Sequence, residues 1–164
     1  MQKLENSIEA LSNVAREFCL IIENVELYKN KTWLSDIARI LSELQTVMES
    51  LDDSEIEYSY FALPDLEARF EMYCSLKDQL GDFDAYFLEY DWAGSEEEMT
   101  GSLASDIVDI YFELKRGLDL FDTGIEYWDS ARTMWQTGYL LIWGRHLANA
   151  QKHLSSLNLV AIAE

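Results

Sequence analysis

Residues 101–124 read GSLASDIVDIYFELKRGLDLFDTG. Leu103, Ile107, Ile110, Leu114 and Phe121 recur at spacings of three, four and seven, which is one apolar line along a helix. Ser102 suits the N-cap of that helix and Gly124 suits its stop. Asp106, Asp109 and Glu113 also fall three and four apart, so they share a side. At about 100° per residue, Asp106 and Glu113 lie roughly 60–90° from the apolar line and Asp109 lies further out. Carboxylates at such a boundary have two readings. They are ligands for a hard cation such as Mg²⁺ or Mn²⁺, or they pair with Arg or Lys on a neighbouring helix.

The same periodicity extends outward in both directions. Leu4, Ile8, Leu11, Ala15, Phe18, Ile22 and Val25 form a continuous stripe, predicting a first helix from about Ser7 to Leu27. YKNK at 28–31 breaks it, and Thr32 is placed to cap a second helix carrying Leu34, Ile37, Leu41, Leu44, Met48 and Leu51. So short a connection predicts an antiparallel hairpin. Residues 52–63 lose the period and read as a loop. Pro64 then opens a third helix with Leu66, Phe70, Tyr73 and Leu80 on its apolar line, closed by Gly81. DFDAYFLEYDW at 82–92 reads as a short helix and AGSEEEMTG at 93–101 as a loop. A last helix runs from about Glu126 to Leu157, with Trp128, Trp135, Tyr139 and Ile142 on one side and Leu140, Trp143, Leu147 and Leu154 on the other. A helix apolar on two sides belongs at the centre of a bundle. No stretch alternates with period two for long enough to make a strand. The expected fold is all-α, a single-domain helical bundle of about five main helices over residues 1–164.

The second stretch with chemical content is WGRH at 143–146. His146 falls on one line with Trp135, Tyr139, Ile142, His153 and Leu157, so its ring is expected to be mostly buried and its nitrogens to need partners. Asp106 or Asp109 from the preceding helix would serve. Such a pair is either a general base or a satisfied structural contact. His146 and His153 are about 10 Å apart along a helix axis, too far to share one ion unaided. Gly138 and Gly144 point to close approach by another helix.

Composition limits the function further. At 164 residues the chain buries roughly 70% of its unfolded surface, so folding requires neither disulfide nor metal. Cys19 and Cys74 sit in helical patterns among apolar neighbours and read as reduced packing residues of a cytoplasmic protein. The N-terminus has no apolar signal core, and the most apolar runs, FCLII and YLLIW, are far too short to span a bilayer. The net charge is −19. Residues 49–109 contain 18 acids and 2 bases, which accounts for −16 of it, along with ten aromatic residues. A surface of this sign repels nucleic acid and anionic membranes and attracts basic proteins. So many aromatics point to a folded acidic surface rather than a disordered acidic tail.

SLASDIVDIYFELKRGL, followed by a tryptophan and YLLIWGRH, resembles the bacterial domain-of-unknown-function family number 5063. Asp106, Asp109, Ile110 and Tyr111 match the acidic part of that family's pattern, Leu114 to Leu118 its L-K-R-G-L segment, and Trp135 with Trp143 to His146 its last helix. Ser105 stands where a further acid is usual, and Ile142 where the first histidine of the closing string is usual. The resemblance implies an all-helical bacterial cytoplasmic protein and carries no activity with it. A weaker similarity links SDIVDIYFEL to the E-x-x-D helix of all-α nucleoside triphosphate pyrophosphohydrolases. Those enzymes need a partner E-E-x-x-E motif, and Glu96 to Glu98 do not supply its spacing.

The leading expectation is therefore a non-enzymatic acidic interaction module that meets a basic protein surface through Asp84, Glu89, Tyr90, Asp91, Trp92, Glu96, Glu97 and Glu98. It needs no cofactor. The alternative is a metal-dependent hydrolase of a small phosphorylated substrate. Asp106, Asp109 and Glu113 would hold Mg²⁺ or Mn²⁺, and His146, Asp109 and Arg145 would be the catalytic candidates. A third reading is a structural subunit of a larger assembly.

Overall fold

A computed structural model of the chain describes residues 2–52, 65–88, 91 and 99–164. The expected loop at 53–63, Pro64, residues 89, 90 and 92–98, and the side chain of Leu4 lie outside the described residues.

The architecture is a helical bundle. Helix α1, Gln2–Glu23, buries Ile8, Leu11, Ala15, Phe18 and Ile22, the stripe the spacing predicts. It stops four residues before Leu27. The Asn24 side-chain amide donates to the Leu20 carbonyl at 2.7 Å, and a 3₁₀ turn, Val25–Leu27, completes the end. Asn30 and Lys31, both at positive φ, turn the chain into α2, Trp33–Ser50, which packs along α1 as a hairpin. Thr32 does not cap α2 through its hydroxyl. Its backbone is already helical, and a capping side chain works from an extended one.

Helix α3, Leu66–Leu80, opens on Asp65, whose carboxylate accepts the Ala68 N–H, and closes on Gly81 at φ +56°, a conformation that favours glycine. The apolar line expected for this helix is corrected at its first half. Leu76 and Leu80 are buried, but Leu66 and Phe70 are 71% and 66% exposed. Residues 82–92 do not begin as the short helix that was expected. After one 3₁₀ turn, Ala85–Tyr86 form a strand, β1, paired antiparallel with Gly101–Ser102, β2. Two residues are too few for an alternating pattern to register. The hairpin is held instead by Asp84, whose carbonyl accepts the Leu103 N–H at 3.0 Å.

Helix α4, Leu103–Phe121, is the centre of the bundle, with twelve of its nineteen residues buried and α1, α3, α5 and α6 packed around it. The expectation had placed the C-terminal helix there. Ser102 caps α4 as predicted, its hydroxyl accepting the Ser105 N–H at 3.2 Å. Gly117 lets α4 approach the rod that follows. A Cβ on it would lie 2.0 Å from the Trp135 indole nitrogen, which donates to the Leu114 carbonyl.

The C-terminal rod is interrupted where a single helix was expected. Helices α5, Trp128–Gly138, and α6, Gly144–Ser156, flank a π-helical segment, Tyr139–Trp143, in which the Gly144 N–H reaches back five residues to the Tyr139 carbonyl. The extra residue resets the helical phase. Trp143 turns into the core behind Trp135 and donates to its carbonyl at 3.1 Å, while Leu140 and Leu141 turn outward. A short α7, Leu159–Ala163, follows, capped by Asn158. One apolar core runs through these elements, with Phe18, Trp33, Trp135 and Trp143 fully buried. Both cysteines are free, and burial pushes the Cys19 thiol up to about 12. No helix among the described residues is long and apolar enough to cross a membrane.

Candidate functional site

Helix α4 faces α6 and places its carboxylates against His146. Nδ1 of His146 lies 2.7 Å from Oδ1 of Asp106, and Nε2 lies 3.2 Å from Oδ2 of Asp109. Asp106 is buried, and its other oxygen accepts the Tyr86 hydroxyl from β1. The second oxygen of Asp109 accepts from Arg69 on α3 at 2.9 Å, and that guanidinium lies over the Phe112 ring. Tyr86 in turn stacks on His153, whose Nε2 lies 2.6 Å from the Phe83 carbonyl. One chain of contacts thus ties α3, β1, α4 and α6 together.

Both ring nitrogens of His146 face carboxylate oxygens. The Nδ1 contact to Asp106 is a hydrogen bond, and the Nε2 contact brings a second carboxylate against the same ring. The contact expected from the sequence is present, with Asp106 and Asp109 flanking one imidazole. Glu113 is buried two turns further along α4, with its carboxylate against Gly138 and away from this cluster. No group of three or more His, Cys, Asp or Glu side chains among the described residues is arranged to hold a metal ion. The stripe of Asp106, Asp109 and Glu113 is therefore divided between two neighbours.

A cleft of about 580 Å³ opens beside the cluster, between the hairpin and α6. Asp106 and His146 form part of its wall with Tyr73, Tyr86, Ser105, Arg145 and Asn149. Trp143, beside His146 in the sequence, packs in the core. Of the residues expected on an acidic interaction surface, Asp84 is corrected. It is buried, accepting the Ser102 hydroxyl at 3.0 Å and the Ala104 N–H at 2.8 Å, so it seals the start of α4. Asp91 accepts from the Leu88 N–H and from both the N–H and hydroxyl of Thr100, bonds that hold its carboxyl below the ordinary carboxylate range, with the Thr100 hydroxyl acting most strongly. Glu89, Tyr90, Trp92, Glu96, Glu97 and Glu98 lie outside the described residues.

Tyr86 and Arg69 belong to the cluster and were not singled out from the sequence. For Arg69 a signal existed, since it is one of 2 bases among 18 acids in residues 49–109. Tyr86 is placed by a two-residue strand that no pattern announces.

The sequence pattern described as Domain of unknown function (DUF5063) matches residues 2–159. The fold is similar to the crystal structure of protein BF1032 from Bacteroides fragilis, with a TM-score of 0.75 and 24% sequence identity over 93% of this chain and 92% of that one. No curated protein matches the chain in sequence. With nearly its whole length matched, including the α4 and α6 segments that build the cluster, the chain belongs to the DUF5063 family.

Proposed function

We propose that the protein is a non-enzymatic interaction module that binds a basic segment of a protein partner on its acidic face. The observation that carries this reading is the outer side of α3. Leu66 and Phe70 stand one turn apart and exposed, and Glu67 and Glu71 stand exposed beside them at the same spacing. Asp78 adds a further exposed carboxylate on the same helix. Two apolar side chains next to two carboxylates suit a segment that presents basic and apolar residues together. The charge of −16 over residues 49–109 would draw such a segment in from a distance.

The test is capture of partners on the immobilised full chain, followed by a salt titration from about 0.05 to 0.5 M, which shortens the screening length several-fold. Partners with basic surfaces should elute as salt rises, and the double variant Glu67→Lys, Glu71→Lys should not retain them. Partners without basic surfaces, or retention indifferent to salt, would reject the reading. The hydrolase alternative has less support, because no group of three carboxylates or imidazoles among the described residues is arranged for a metal ion, and Asp106 and Asp109 are bonded to Tyr86 and Arg69.

A further inference from the structure

Among the described residues, the cleft beside His146 has a charge balance unlike that of the chain as a whole. Asp106 is the one carboxylate among its described lining residues, and both its oxygens are taken, by Tyr86 and by His146. Arg145 lies in the same wall, exposed, with no carboxylate partner among the described residues. Arg16, Arg39, Arg69 and Arg132 each have one. With 31 acids to 12 bases, an arginine left without an acid departs from the pattern of the molecule. Ser105 and Asn149 line the cleft as well, and neither side chain makes a hydrogen bond to a described residue. Three uncommitted polar groups therefore converge on one space, one of them cationic.

A second cleft of about 360 Å³ shares Tyr86, Leu88 and Asn149 with the first, and its further wall includes Ala85, Phe87 and Met99. The two clefts adjoin along α6, on which Arg145, Asn149 and Lys152 succeed one another at spacings of four and three. One end offers a guanidinium and hydrogen-bonding side chains. The other offers mostly apolar surface. Small-molecule sites combine these features at this scale.

We propose that this groove is a binding site for a small organic oxyanion, a carboxylate or phosphate joined to an apolar body. Arg145 contacts the charged group, Ser105 and Asn149 complete its hydrogen bonds, and the body lies along Tyr86 and Leu88 toward Phe87 and Met99. A guanidinium matches the paired oxygens of either group. The Asp106 oxygens are bonded to Tyr86 and His146, so neither is free to compete for the Arg145 guanidinium. The groove is separate from the outer side of α3, so its ligand and a basic protein partner are independent of each other.

The experiment is an NMR titration of the full chain with benzoate and with phenyl phosphate, using benzyl alcohol as the neutral counterpart. At about 10 mM, where fragments of this size bind, one or both anions should shift the backbone amides of Ser105, Arg145 and Asn149 saturably. Response to benzoate alone assigns a carboxylate, and response to phenyl phosphate alone assigns a phosphate. Arg145→Ala, at an exposed position, should keep the fold and weaken binding by roughly tenfold or more. Absence of shifts with both anions, equal binding by Arg145→Ala, or equal binding of benzyl alcohol would overturn the proposal. None of those results bears on partner capture by the acidic face.

Discussion

Helices α3 and α4 lie side by side, both carry carboxylates at helical spacing, and they use them in opposite ways. On α4, Asp106 and Asp109 turn toward His146, Tyr86 and Arg69, and Glu113 is buried against α5. On α3, Glu67, Glu71 and Asp78 stand in solvent. Spacing alone does not separate the two cases. The difference lies in what faces each helix. Helix α4 is surrounded on several sides, so Asp106 and Asp109 at its boundary meet donors from neighbouring elements. Among the described residues, α3 packs mainly against α4, and its outer acids Glu67, Glu71 and Asp78 are exposed. A buried charge without a partner costs several kcal/mol, and the elements around α4 supply partners for Asp106 and Asp109.

The comparison is broken most severely at Asp106. Asp106→Ala removes the acceptor for both Tyr86 and His146 inside the fold and should destabilise the protein by about 3–5 kcal/mol in a denaturant titration. The inward packing of α4 is tested next by Gly117→Ala. Its added methyl would meet the buried Trp135 indole, and the cost should be about 1–3 kcal/mol in the same measurement.

Smaller effects belong to charges on the surface. Arg16 and Asp122 form a two-pronged pair with both side chains nearly half exposed, so Asp122→Asn should cost about 0.5 kcal/mol, and less as salt rises. The Arg16 hydrogen bond, more than any other contact, holds the Asp122 carboxyl below the ordinary carboxylate value. The stabilisation is therefore present above about pH 4 and fades as pH falls through the lowered value, so wild type and variant should converge in acid. The double variant Glu67→Gln, Glu71→Gln should change stability least, by about 0.5 kcal/mol or less, while weakening the salt-sensitive capture of partners.

The helical fold was legible because α1, α2 and α4 carry long stripes of period 3.6. A contact of His146 with Asp106 or Asp109 was legible too, because residues on the boundary of one helix and the buried line of the next have few other ways to be satisfied, although the sequence did not show that both would reach the ring. Asp84 was not. An acid in an acidic stretch reads as surface, and its role at the start of α4 depends on a two-residue strand pairing across about fourteen intervening positions. The π-helical segment was also hidden. The wider turn at Tyr139–Trp143 leaves the composition of the rod unchanged while parting Leu140, which is exposed, from Trp143, which is buried, although both had fallen on one apolar line.

The account rests on the contact between α4 and the imidazole of α6, and a double-mutant cycle measures it directly. Asp106→Asn, His146→Gln and the double variant are each unfolded in denaturant. A coupling of about 1.5 kcal/mol or more between the two sites is predicted, as for side chains in direct charged contact. Additivity within about 0.3–0.5 kcal/mol would mean that the two residues do not interact, and the inward role assigned to the carboxylates of α4 would be wrong.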